Sequence, residues 1–534
     1  MELASVKNQL EWLKGQIGLA RKHMFGQSSE QSRYDTEQIL LGQDALHTPD
    51  QEVYGHAIEL AKQEKKVRAR KTRLVTDKLP DYIPTETIEH TLPEGERGCP
   101  ECGDEMHPIG KETVREEIEI IPARIVLVKH VRTSYGCRTC ETTAEKPTIV
   151  KPSIPEPVIK GSFASAKSIA YIMVQKFVMG LPLYRQESEW LRQGIGLSRQ
   201  TMSNWLIKAS EDWLAPIYKL LHKRILTYDH LMSDDTNLQV IKEPGRKAKQ
   251  KSNIWVYRTG WGVEYPIVLC EYQPGRHGKH PKVFLCGFKG YLQVDGYPGY
   301  DGISDNITLV GCLVHIRRYF DNALKILPEA DREGTEALRG KRYCDALFDI
   351  EKLLSDMSAV ERYLWRIAFA KPVLDEFHEW LMSFANLGKS LFSKAVGYAL
   401  GQWGNLTNYL LDGRLEASNN RTERVVKMYA INRKNFLFAY TPRGAAASAT
   451  IFSMIQTAIE NCLDPYKYLT YIFTNAPNWA IGDAEGFAAR FLPEAVPDTL
   501  RASAGRLGYE SPGVKLNRHN ILLSEKEGLL NGKS

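Results

Sequence analysis

Apolar positions recur along this chain in three rhythms. At the N-terminus Leu3, Val6, Leu10, Leu13, Ile17, Ala20 and Met24 alternate spacings of 3 and 4, a heptad seam weakened by Gly15 and Gly18. It predicts one helix, either paired with a second copy in a short coiled coil or packed on its own domain. Residues 27–60 are polar and lack a rhythm. Residues 163–222 read as helical, and within them LYRQESEWLRQ, GIGLS and RQTMSNWLIKASEDWL have helix-turn-helix spacing. Ser198 is placed to cap the second helix. Trp205 and Leu206 would pack inward, while Arg199, Gln200, Ser203 and Asn204 would face outward, residue types that read base edges and phosphates. An ordinary αα-hairpin with a polar surface has the same pattern.

From residue 225 the rhythm changes to strands. HLMSDD, NIWVYRTG, EYPIVLCEY, YLQVDGY and ITLVGC are short β-rich runs, with a short helix at 279–288. The expected order is β-β-β-α-β-α-β, a ribonuclease-H-like layout. Residues from about 325 to 410 return to helical periodicity, as in RYCDALFDIEKLLSDM and SLFSKAVGYALGQWGNLTNYLL, and read as an all-helical insertion. The fold class is thus multidomain α/β. On this reading the chain divides into 1–60 (heptad helix and polar segment), 61–94 (basic linker), 95–150 (zinc ribbon), 151–224 (connector and helical DNA-binding region), 225–440 (catalytic domain with insertion) and 441–534 (C-terminal helix and tail).

The 534 residues suit roughly three or four domains at about 150 residues each. With 43% hydrophobic and 25% charged residues, composition excludes a mostly disordered or collagen-like chain. No uninterrupted apolar run reaches the ~18 residues a membrane span needs, and the first residues lack a secretory pattern, so a cytoplasmic location is expected. The net charge of +6 is too small to announce a nucleic-acid partner. Its distribution is more informative: KQEKKVRARKTR (62–73) holds seven basic side chains and one acid, a phosphate-contacting segment or a solvated linker.

Four of the nine cysteines form two knuckles, Cys99-Pro-Glu-Cys102 and Cys137-Arg-Thr-Cys140, separated by 34 residues. Each knuckle aims two thiolates at one tetrahedral ion, and two complete a closed structural Zn²⁺ site. Redox dithiols or unrelated buried thiols are the alternatives. The intervening EEIEIIPARIVLVKHVRTSYG is expected to form two strands.

Acids end the first and fourth core strands. If those strands are neighbours, Asp234 and Asp295 converge, and converging carboxylates repel unless a hard cation such as Mg²⁺ or Mn²⁺ joins them. Two such ions serve in-line phosphoryl displacement. A third carboxylate is offered by ASNNRTERVVKMYAINRKNFLF, where Glu423 and Arg424 open a helix and Arg433 and Lys434 extend basic reach. Asp235, alternating in direction from Asp234, is expected to be a strand-end surface acid. Cys312-Leu-Val-His315 places His315 either near a scissile phosphate or as a helix cap beside a core cysteine. Arg317 and Arg318 are expected to meet phosphates or carboxylates. No GxxxxGK[ST] is present, which argues against an ATP-driven mechanism.

Together SDDT (233–236), LQVDGYPGY (292–300), GCLVHIRRYF (311–320), NNRTER (419–424) and NRKNFLF (432–438) resemble the blocks of a bacterial transposase family, insertion sequence sixty-six. KHMFGQSSE (22–30), the cysteine knuckles and NCLDPYKYL (461–469) resemble it too. The chain departs from the family where Asp234-Asp235-Thr236 replaces Asp-Glu-Thr and Ser418-Asn419-Asn420 replaces Asp-Asn-Asn. The resemblance implies a DDE transposase with Asp234, Asp295 and Glu423 as the metal-binding catalytic carboxylates. It implies double-stranded DNA as partner, both element ends and target, with Arg199, Gln200, Ser203, Asn204, His315, Arg317, Arg318, Arg424, Arg433 and Lys434 as candidate contacts. A homo-oligomer, small accessory proteins of the same element and association with the nucleoid are further expectations. The competing classes are a ribonuclease-H-like nuclease that cleaves without joining, and a non-enzymatic DNA-binding regulator.

Overall fold

The computed structural model describes residues 149–384, 388–479 and 483–501 continuously, with scattered residues between 87 and 136. The heptad helix and the basic segment 62–73 lie outside the described residues, as do Cys99, Cys137 and Cys140. Residues 30–152 form one compact unit and residues from 153 onward another.

In the first unit two short strands, β1 (Tyr135–Gly136) and β2 (Ile149–Val150), pair antiparallel. Residues 125–134 were expected within a strand but form none. Among the described residues no strand lies beside them, and Val126, Val128 and Val131 are exposed rather than packed. β-branched residues favour a strand only when a partner and a packed face exist. Cys102 is exposed, its Sγ 3.8 Å from an Asp104 carboxylate oxygen.

The second unit opens with helices α1 (Ala166–Phe177), α2 (Leu183–Arg192) and α3 (Arg199–Ala209), the last running through a π-helical turn at Ser210–Leu214 into α4 (Ala215–Ile225). Ser198 caps α3 by accepting the Thr201 amide across 3.1 Å. Met202, Trp205 and Leu206 are buried, while Arg199, Gln200 and Asn204 are exposed and Ser203 is half-buried.

A five-stranded sheet follows: β3 (His230–Gln239), β4 (Lys251–Thr259), β5 (Val268–Gln273), β6 (Gly290–Gln293) and β7 (Ile307–Val310). The spatial order is β5-β4-β3-β6-β7. The first three strands form an antiparallel meander, and β6 and β7 run parallel to β3. Two expectations are corrected. β3 does not end at its acids, because β4 pairs with it from Leu231↔Thr259 to Gln239↔Lys251 and carries the ladder past them. No α-helix separates β6 from β7: after α5 (Lys279–Phe284), only one 3₁₀ turn, Pro298–Tyr300, lies between them. Pro298 and two glycines favour that turn over a longer helix.

After β7 comes α6 (Leu313–Lys325). Then α7 (Glu336–Leu353), α8 (Ala359–Trp365), α9 (Lys371–Met382), α10 (Leu391–Gly401) and α11 (Trp403–Thr407) occupy residues 336–407. Of these, α7, α9, α10 and α11 share a core with α6, built on Phe320, Leu347, Phe377, Trp380 and Tyr409. The sheet is rejoined by α12 (Asn420–Phe436) and α13 (Pro442–Glu460).

The expected boundaries at 224 and 440 do not separate domains. One apolar core runs from Ile169 and Trp205 through Trp255 and Leu269 to Phe452 and Leu469. α13 covers the outer edge of β5: Ser453 Oγ accepts the Cys270 amide at 2.7 Å and Thr457 Oγ1 accepts the Val268 amide at 3.0 Å. An edge strand's unpaired amides are thus satisfied by helix hydroxyls, which blocks edge pairing. Buried Arg258 on β4 binds Glu460 at the end of α13 at 2.8 Å and donates to the Arg421 carbonyl of α12 at 3.2 Å, fixing both helices on the sheet.

Candidate active site

Strand register brings the first two acids together. The parallel β3–β6 ladder closes with Met232 opposite Gln293, and two residues further along each chain stand Asp234 and Asp295. Asp295 is held by the Tyr297 amide, 3.1 Å from its Oδ1. Asp234 Oδ1 accepts the Asp235 amide at 2.7 Å.

Glu423 arrives from the first turn of α12. That helix start is tied to β3 by buried Asn419, whose Nδ2 donates to the Ser233 carbonyl at 3.0 Å. The Asn419 amide donates to Cys312 Sγ at 3.2 Å, which ties α12 to the start of α6. From α6, Arg318 Nη2 reaches Glu423 Oε2 at 3.5 Å and His315 Nε2 lies 3.8 Å from Oε1.

Electrostatics reports the convergence. Burial, and then the charge of Asp295, push the Asp234 carboxyl up to about 8, with Glu423 acting in the same direction and the Asp235 amide opposing. Donor atoms of Cys312, His315 and Glu423 lie within 4.8 Å of one another. Burial pushes the Cys312 thiol up to about 12, and its sulfur accepts the Asn419 backbone amide at 3.2 Å. Burial also lowers the His315 imidazole, with Glu423 opposing. Glu423 Oε1 is buried and accepts no hydrogen bond among the described residues. Clustered carboxylates, one oxygen of them unpartnered, fit a hard divalent cation such as Mg²⁺ or Mn²⁺.

Asp235 is not the surface acid expected. Its side chain is enclosed, accepting from Asn253 Nδ2 at 2.5 Å and from Arg276 Nε at 2.7 Å. The ladder that β4 extends past the acids puts Asn253 two positions from Trp255, the residue opposite Asp235, and closes over it. Arg276 also reaches Asp295 Oδ2 at 3.5 Å and lies 3.8 Å over the Tyr297 ring. Sequence reading missed Arg276 and Asn253, and named Asn419 only at the helix start where the chain departs from the family pattern. The QPGRHGK turn, a lone arginine among turn residues, was the available signal for the first.

The other candidates are dispersed. Arg317 pairs with Asp345 of α7 rather than standing free for DNA. Its position on the face of α6 toward the helical insertion explains the difference. Arg433 donates to Thr236 Oγ1 at 3.2 Å and to the Asn237 carbonyl, bracing the end of β3. Arg424 and Lys434 are exposed. Arg199 pairs loosely with Glu187 on α2 at 3.8 Å, and Gln200 donates to Asn204 across 3.1 Å.

Residues 161–447, which contain the sheet, the acids and α12, match the model described as Transposase IS66 family. The chain belongs to the IS66 transposase family. Residues 96–141, containing all four paired cysteines, match the zinc-finger binding domain of transposase IS66, and residues 12–88 match the description transposase C of IS166 homeodomain. Relatives include the uncharacterized protein y4jD of Sinorhizobium fredii, 30% identical over 405 residues, which are 73% of this chain and 76% of that protein. The uncharacterized protein y4hP of the same organism is 30% identical over 479 residues, 86% of this chain and 84% of that one. The chain thus carries the transposase, zinc-finger and DNA-binding regions of its family. No helix among the described residues is long and apolar enough to cross a membrane.

Proposed function

We propose that this IS66-family chain is a DDE transposase that cleaves DNA at the ends of its element and joins the freed 3′-hydroxyls to target DNA. The observation that carries the reading is the placement of Asp234 and Asp295 two residues past the paired end of parallel strands, with the helix start that bears Glu423 tied to the residue before Asp234. The order β5-β4-β3-β6-β7, with three antiparallel strands followed by two parallel ones, supports a ribonuclease-H-like core.

Asp234, Asp295 and Glu423 would hold Mg²⁺ or Mn²⁺. Bound divalent ions supply charge neutralisation at the phosphoryl centre and activation of an oxygen nucleophile. The chain's own residues do the rest. Asn419 and Arg258 keep α12 in place, so Glu423 stays beside Asp234. Arg318 stands at the rim beside Glu423, half-exposed, where a DNA phosphate can reach it. Arg199, Gln200 and Asn204 on α3, with Arg424 and Lys434 on α12, offer exposed polar and cationic contacts for DNA. Cys99, Cys102, Cys137 and Cys140 would hold one structural Zn²⁺.

The test incubates purified protein and Mg²⁺ with a labelled duplex carrying the DNA that flanks its gene, together with a supercoiled target plasmid. Joined product supports the proposal. Cleavage without joining makes the protein a nuclease, and binding without either makes it a regulator; both overturn the reading.

A further inference from the structure

Arg276 is not one of the three acids but borders them, and it is held in place more firmly than a loop arginine needs. Its Nε binds the enclosed Asp235 carboxylate at 2.7 Å, and its guanidinium lies 3.8 Å over the Tyr297 ring. The Tyr297 hydroxyl donates back to the Arg276 carbonyl. Glycines let the two loops touch: a Cβ on Gly278 would meet the Gly299 carbonyl oxygen at 2.4 Å, and one on Gly299 would meet the Tyr297 ring at 2.1 Å. Backbone, ring and carboxylate thus fix the guanidinium plane at the edge of the acid cluster. Nη2 donates one long hydrogen bond, to Asp295 Oδ2 at 3.5 Å, Nη1 has no hydrogen-bond partner among the described residues, and the side chain is 41% exposed. Arginine's planar fork suits bidentate binding of a phosphate, and anchoring one edge leaves the other pre-organised.

We infer that Arg276 is a DNA phosphate-binding residue of this site, anchored through Nε by Asp235 and presenting its terminal edge, Nη1 together with an Nη2 only loosely held by Asp295, to the backbone of the strand that enters beside Asp295. The inference rests on the function proposed above. It adds a contact that no carboxylate supplies: a fixed cation beside the acids, which offsets their repulsion of an incoming phosphodiester. Asp235 then serves as a positioning residue rather than a metal ligand.

The test measures binding of a synthetic DNA duplex of arbitrary sequence across a salt series, with Ca²⁺ present to permit binding. Mn²⁺ binding without DNA is followed in parallel by titration calorimetry. Arg276→Gln should weaken DNA binding roughly 10-fold and reduce the slope of log affinity against log salt by about one. Arg276→Lys should restore the slope while recovering only part of the affinity, because it keeps the charge but loses the fork. Asp235→Asn should weaken DNA binding while leaving Mn²⁺ binding intact. An unchanged salt slope in a folded Arg276→Gln protein that still binds Mn²⁺ overturns the inference, since Arg276 would then be only a counter-ion for the acids. Absence of Mn²⁺ binding in the unaltered protein overturns instead the metal-dependent reading on which it rests. Should Arg276→Gln fail to fold, Arg276→Lys decides: wild-type affinity for DNA would exclude the fork.

Discussion

The Asn419 side chain donates to the carbonyl of Ser233 across 3.0 Å, joining the start of α12 to the residue before Asp234. Asn419 is fully buried, and its amide also binds Cys312 Sγ. One residue, through its side chain and its backbone amide, therefore links β3, α6 and α12, the elements that carry Asp234, His315 and Glu423.

Asn419→Ala removes the donor and leaves a buried carbonyl unpaired, which costs about 1–3 kcal/mol. Urea denaturation should show a lower midpoint with an unchanged slope. Cleavage should fall by more than the lost folded fraction explains, because Glu423 loses its fixed relation to Asp234. Activity that simply tracks the folded fraction would show that the tie does not organise the site.

Asp234→Asn, Asp295→Asn and Glu423→Gln keep shape and remove one charge each. Each should abolish cleavage and joining, and double variants should be no worse than single ones because the acids act as a unit. Mn²⁺ should raise the melting temperature of the unaltered protein, by linkage, and do so far less in each variant. Asp305→Asn, at an exposed position outside the cluster, is the control and should behave as wild type.

Burial, aided by the charge of Arg414, holds the His230 imidazole down at about 4. The folded state therefore binds fewer protons than the unfolded state between about 6.5 and 4. Stability from this group is complete above about 6.5 and is lost as pH falls toward 4, by an amount on the order of a few kcal/mol. Comparing denaturation midpoints near pH 7.5 and 5 should show a larger drop for wild type than for His230→Gln. Equal drops would exclude His230 as a source of acid sensitivity.

Zinc should be present at about one ion per chain by elemental analysis, and Cys102→Ser should release it. The unit from residue 153 onward has its own core and should keep its melting transition in that variant. Full zinc content in Cys102→Ser would exclude this cysteine as a ligand.

Local pattern was enough for most helices and for the five sheet strands, but not for the strand expected at 125–134 or the helix expected between β6 and β7. Ser198 as a cap, Trp205 and Leu206 as buried positions, and the helical stretch after α6 follow from spacing and residue type, which act within a few residues. The cysteine knuckles and family blocks were legible for the same reason. Side-chain partners were not. Asp235 looked like a surface acid because nothing near it in the chain announces Asn253 or Arg276, which reach it only once β4 folds back and the loop after β5 closes. The boundary at 440 failed similarly, since Ser453 and Thr457 gain meaning only against the open edge of β5. Asp234 and Glu423 lie 189 positions apart, and no periodicity spans that gap. Their meeting depends on parallel register, a buried asparagine and a buried arginine. The sequence alone determined the chemistry carried by each segment, because propensity and charge are local; the tertiary structure decided which charges meet, because burial and register are set by contacts between distant segments.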